Sequence, residues 1–198
     1  MGNNKNPWKR AFFVGLGTFF VAISISAASE LVVSKFQSII LAVILLLFII
    51  FIGIIFDMIG TAATAAEHHP FHAKGAKRVK GSQQAVMLVA NADKVSNFSN
   101  DLVGDIASTV SGALGAAIIF EIATGNLSAY ESIFSLVMTG LVSALTVGGK
   151  AAGKKLAIDH SEDIIFKVGQ ILAKFEEITG LKVFSRQKNR RRREKGER

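Results

Sequence analysis

IILAVILLLFIIFIGIIF, residues 39–56, runs straight into Asp57, and the fold turns on how this stretch is read. It contains Ile, Leu, Val, Phe, Ala and a single Gly, and nothing else. A helix rising about 1.5 Å per residue needs about 20 apolar residues to cross the hydrocarbon core of a bilayer. The run therefore predicts a membrane-spanning helix over about 38–62, with a carboxylate close to its far end. An acid at that depth is costly unless it faces protein or water, which makes Asp57 a candidate functional residue.

Three further stretches have the same character. Residues 11–29 and 132–149 carry no charge, and residues 102–124 carry only Asp105 and Glu121. The expected fold is an all-α membrane protein of about four transmembrane helices, at roughly 11–33, 38–62, 101–124 and 132–150, within one transmembrane domain over 1–184. Lys5, Lys9 and Arg10 ahead of the first stretch would suit a signal peptide. The apolar part is long for that role, and Ser26-Ala-Ala-Ser-Glu30 is a weak cleavage site, so the stretch reads as an anchored span. There is no cysteine, hence neither a disulfide framework nor a thiolate metal site.

Charge predicts orientation. Four spans place the amino terminus, residues 67–100 and everything after Gly149 on one side, and those segments hold all but one of the 23 Lys and Arg, leaving Lys35 opposite. By the positive-inside rule the protein is expected in the cell membrane, multi-pass, with both termini cytoplasmic. The tail RQKNRRRREKGER, within residues 185–198, supplies most of the formal net charge of +8. It reads as a solvated end that touches anionic lipid headgroups, or else as a docking site for RNA or an acidic partner.

Ahead of the tail an amphipathic helix is predicted over about 161–179. Ile164, Ile165, Val168, Ile171, Leu172, Phe175 and Ile178 recur at three- and four-residue steps between Ser161-Glu-Asp and Gly180. A shorter one is predicted from Gln83 to Val95. Both are juxtamembrane and expected on the cytoplasmic side.

Polar residues within the spans carry whatever chemistry there is. Asp57, Thr61 and Thr64 share one helix face by their i, i+4, i+7 spacing, and Asp101, Asp105 and Ser108 repeat it, with Asn100 adjacent. Such hard oxygen ligands suit Mg²⁺ or Na⁺, so a bound cation is expected at Asp57, Thr61, Asn100, Asp101, Asp105 and Ser108. The bland counterpart is that the acids cap helix ends, Asp101 above all. Gly104, Ser108, Gly112 and Ala116, and again Gly140, Ala144 and Gly148, form small-residue stripes that let helices approach closely. His68, His69 and His72 crowd around Pro70, which argues against a straight helical ligand pair and for an interfacial turn. No phosphate-binding loop, nucleophile elbow or dinucleotide fingerprint is present, and no enzymatic activity or cofactor is expected.

Asn100-Asp-Leu-Val-Gly104, Gly149-Lys-Ala-Ala-Gly-Lys154 followed by Ala157, and Asn91-Ala-Asp-Lys94 together resemble the transmembrane domain of the CNNM/CorC (also CorB) divalent-cation transporters. The family patterns they resemble are Asn-Asn-Leu-Val-Asn and Gly-Glu-x-x-Pro-Lys-x-x-Ala, and the likeness covers about residues 40–180. It implies a divalent-cation (Mg²⁺) transport or binding domain, and a homodimer. The departures are specific: the family's first-helix Glu falls near Ala62, its last-helix Glu is Lys150, and its Pro is Gly153. The first span lies outside the family pattern, and the usual CBS-pair domain is not expected here. The alternative is a non-transporting membrane scaffold or regulatory subunit that meets lipids and, through its tail, a partner.

Overall fold

The computed structural model describes residues 7–36, 38–123 and 131–181, all of whose regular structure is helical. Helix α1 (Pro7–Phe36) is followed by α2 (Ile39–Ala65), the short α3 (His69–Ala76), α4 (Ser82–Ala90) and α5 (Ala92–Ser96). A π-helical segment, Asn97–Gly104, then leads without a break into α6 (Asp105–Ala123), and α7 (Glu131–Asp159) and α8 (Ser161–Thr179) complete the chain. The fold is all-α, as predicted. The basic tail lies outside the described residues.

Among the described residues, three helical runs are long and apolar enough to cross a membrane: Ile39–Ala65, Ala92–Ile122 and Ser132–Asp159. The first keeps only 22% of its most apolar window buried and the last 11%, so most of their apolar surface faces outward, as lipid-facing helices require. Helix α1 forms where the first span is expected and contains the uncharged stretch 11–29. The Thr18 and Ser24 hydroxyls donate to the Val14 and Phe20 carbonyls, one turn back, and so satisfy themselves within the helix.

Local sequence accounts for the helix ends. Ser38 caps α2 by accepting the Leu41 N–H. Pro70 sits in the first turn of α3, where its missing N–H costs nothing, and the chain leaves α2 in extended conformation at Ala66 to reach it. The predicted helix over Gln83–Val95 is divided at Asn91, whose side chain donates to the Met87 carbonyl and draws the backbone out of helical geometry. Helix α8 has the predicted limits, with Gly180 in the left-handed conformation that ends it. Ser161 is its first helical residue rather than its cap, a position His160 takes.

Two cores hold the molecule. Ala42, Leu46 and Ile50 of α2 meet Leu114 and Ile118 of α6 and Val142 of α7 within the membrane-spanning bundle. At the other end of α2, Ala62, Ala63 and Ala66 pack with Phe71, Ala85, Leu88, Val89, Ala157 and Ile165. The alanines let α4 and α8 settle directly against α2, so that α3, α4, α5 and α8 form a layer under one end of the bundle. Gly81 and Gly169 set the closest approach in that layer. A Cβ on Gly169 would lie 2.6 Å from the Gly81 carbonyl oxygen and 2.9 Å from the Ala85 nitrogen.

Candidate functional site

Helix α2 carries Asp57 to the junction between bundle and layer, where the side chain is almost fully buried at 4% exposure. Its nearest counter-charge is Lys154 of α7, with Nζ 4.0 Å from Oδ2. That is a long ion pair and not a hydrogen bond, and Oδ2 has no hydrogen-bond donor. One turn along α2, Gly60 receives the side chain of Asn100 so closely that a Cβ there would overlap it. Asn100 belongs to the π-helical segment, and its Nδ2 donates to the Ser96 hydroxyl at 3.3 Å. Its Oδ1 is buried and has no donor either. A buried acceptor left without a donor costs about 1–3 kcal/mol. Two such oxygens flank one turn of α2.

The π segment positions a second polar cluster at its exit. Lys150 of α7, mostly buried, donates from Nζ to the Gly104 carbonyl at 3.1 Å and lies 3.6 Å from Asp105 Oδ1. The Ser108 hydroxyl donates to the same carbonyl at 2.8 Å. Around the absent side chain of Gly104, the Ser99 carbonyl oxygen, Lys150 Nζ and the Gly53 carbonyl oxygen all lie within 3.9 Å of where a Cβ would stand. An ammonium group thus occupies a backbone-lined niche. π-helical turns recur at functional sites because they break the regular carbonyl ladder. A cavity of about 220 Å³ between α6 and α7 reaches this point, with Ser108, Gly112, Ser143, Thr146 and Lys150 on its walls.

The predicted site residues therefore divide. Asn100 comes against Gly60 of α2, one turn along from Asp57, and Thr61 beside Gly60 is partly buried. Asp105 and Ser108 belong to the Lys150 cluster. Asp101 is exposed. The six expected cation ligands do not converge on one point: the Asp105 side chain is 71% exposed, and Asp57 and Asp105 each turn to their own lysine. The reason lies on α7, whose Lys150 and Lys154 are one turn apart on one face and draw the two carboxylates to separate depths. Among the described residues no three His, Cys, Asp or Glu side chains converge as a metal cluster. The His68 and His72 rings stack at 6.5 Å between centroids.

The two lysines are the residues of this region that sequence reasoning missed. Lys150 entered it only as a departure from a family motif, and Lys154 only as a match to one. The usable signal was their i, i+4 spacing at the charged end of a span, opposite two helices that carry acids at the same end.

Three helices of spanning length, with large apolar side chains facing outward, define an integral membrane protein of the all-α class. No family model, curated protein or solved structure matches the chain.

Proposed function

We propose that the protein is a multi-pass cell-membrane protein that binds and carries cations, Mg²⁺ foremost, through the Asp57–Asn100 turn. One observation supports this above the others: two buried oxygens, Asp57 Oδ2 and Asn100 Oδ1, stand without a donor at the end of a membrane span. Oxygen acceptors in such a place are satisfied by a cation, and Mg²⁺ retains several waters, so one carboxylate with an amide oxygen and the Thr61 hydroxyl is a sufficient protein contribution. The resemblance to the CNNM/CorC domain supports the same reading, including a homodimer. In the cation-free state Lys154 is the counter-ion of Asp57, and the incoming cation displaces it.

The test is thermal stabilisation of the purified protein by Mg²⁺ and by Na⁺. Wild type should be stabilised, Asp57→Asn should lose the effect, and Glu121→Gln, at the other end of α6, should keep it. Unchanged stabilisation of Asp57→Asn would remove Asp57 from the site.

A second reading, a non-transporting scaffold or regulatory subunit, is favoured by Lys150, whose ammonium on the Gly104 carbonyl stands where a free cation would be held. Wild type indifferent to every physiological cation would leave that reading in place.

Orientation follows from charge. Both termini are placed in the cytoplasm with the 125–131 connection outside, since nearly all Lys and Arg then lie inside. Cysteine introduced at Ser128 should react with an impermeant thiol reagent on intact cells, and cysteine at Ser185 should react only after permeabilisation. The reverse pattern would invert the topology.

A further inference from the structure

Helix α8 is apolar on two sides, and only one of them is used. Ile165, Gly169 and Ala173 are buried against α4 and the end of α2. On the opposite side Ile171, Phe175 and Ile178, at i, i+4 and i+7, are exposed by 66%, 50% and 85%, and Leu181 extends the row at 68%. A row of large apolar side chains left open in this way needs a cover.

The charges of α8 are sorted to match. Glu176 accepts from Gln84 Nε2 and Glu177 from Lys80 Nζ, both at 2.7 Å, so the acids near its end are engaged by the α3–α4 segment. Lys167 and Lys174 are exposed and border the apolar row, Lys167 four residues before Ile171 and Lys174 next to Phe175. Glu162 and Asp163 stay exposed in the first turn, and the apolar strip beyond them, edged by lysines and with Glu176 and Glu177 engaged elsewhere, is complementary to an anionic lipid surface. Chain connectivity brings α8 to such a surface. It begins at Ser161, one residue after α7 ends at Asp159, and α7 is of spanning length. The last turns of α7 still expose Leu156 and Ile158. Beyond α8 the sequence continues into the arginine-rich tail, a second basic element for the same headgroups.

We infer that α8 is an interfacial helix, its Ile171–Phe175–Ile178–Leu181 row seated at the headgroup–acyl boundary of the bilayer and its Lys167 and Lys174 set among anionic headgroups. The inference rests on α7 crossing the membrane and is independent of any cation site. It gives the layer a lipid-contacting side, so that the composition of the leaflet bears on the helix packed against the end of α2.

The test uses the full chain in nanodiscs. Ile178→Trp, and separately Phe175→Trp, are made in a Trp8→Phe background, so that the new indole reports alone. The expected result is blue-shifted emission, strong quenching by brominated acyl chains and weak quenching by aqueous iodide. Quenching by brominated chains should be greater with phosphatidylglycerol present than in phosphatidylcholine alone, and Lys167→Gln/Lys174→Gln should remove that difference. Three results would overturn the inference. Water-like emission quenched by iodide would place the row in solvent. Blue-shifted emission insensitive to brominated lipid, and dependent on protein concentration, would make a second copy the cover. Equal quenching in both lipids would dismiss the anionic headgroups. Two reporter positions guard against one substitution failing to fold, and loss of the cation response in the preceding section would leave every one of these outcomes readable.

Discussion

Gly81→Val should disrupt the layer beneath the bundle while the spans still insert. Gly81 has φ of +87°, a conformation a β-branched residue adopts only with strain, and a Cβ there would lie 2.7 Å from both the backbone nitrogen and the Cα of Gln170. Neither neighbour is a flexible side-chain end. The left-handed conformation costs about 1–2 kcal/mol in itself. Forcing apart a close-packed contact adds typically about 1–3 kcal/mol more. Gly169→Val, meeting the Gly81 carbonyl from the other side, should behave alike, and the pair should be less than additive because both act through one contact. The measurement is limited proteolysis in detergent. Cleavage between 160 and 181 should be strongly accelerated in either variant, whereas Gly140→Val, at a glycine with open space around it, should resemble wild type. Unaltered proteolysis of Gly81→Val would mean that α8 does not hold its place through this contact.

Removing the charge of Lys154 should expose the cost of keeping Asp57 inside. Lys154→Met leaves a 4%-exposed carboxylate whose Oδ2 already lacks a hydrogen bond, now with its nearest counter-charge gone. Breaking a fully buried pair costs about 3–5 kcal/mol. The pair here is 4.0 Å long and Lys154 is half exposed, so a loss of about 1–3 kcal/mol, the range for an unsatisfied buried group, is the expected result. Two additions should reverse it. Asp57→Asn in the same chain removes the stranded charge and should restore most of the stability, which a double-mutant cycle measures as coupling. Mg²⁺ should do the same for the single variant, and at lower concentration than wild type requires, because no ammonium competes. Thermal unfolding of the four proteins with and without Mg²⁺ decides it, and zero coupling would show that Lys154 does not serve Asp57.

A subtler substitution separates the site from the fold. Gly60→Ala should leave the unfolding temperature nearly unchanged, because only the end of the Asn100 side chain must move, yet it should weaken the response to cations by displacing Asn100 Oδ1. Titration of the variant with Mg²⁺ is the check.

What could be read from sequence was what a single helix determines by itself. The run at 39–56 shows its length and purity without reference to any neighbour, and the limits of α8 follow from the acids of its first turn and the glycine after its last. The break between α4 and α5 was not legible, because Asn91 is tolerated in a helix as readily as it interrupts one. The π segment was invisible for a related reason. Asn-Asp-Leu-Val-Gly suits either hydrogen-bond register, and nothing within it signals the wider one that the structure adopts. The site was half legible. Burial of Asp57 followed from its place in an apolar run, and the closeness of Asn100 was implied by motif order. The pairing with Lys150 and Lys154 depends on how α7 is rotated against α2 and α6, which spacing along one chain does not state.

The π segment has one further implication, a matter of register. Eight residues, Asn97–Gly104, are wound more loosely than the α-helix that follows, so the run from Ala92 to Ile122 carries surplus chain relative to a uniform α-helix. Displacing one surplus residue along a helix turns the residues it passes by about 100°, one residue's share of a 3.6-residue turn. Moving the slack past Gly104 toward α6 would therefore swing Asp105 and Ser108 around the helix axis while Asn100 stayed against Gly60. The two polar clusters are linked by a screw, and the position of the loose turn is its setting.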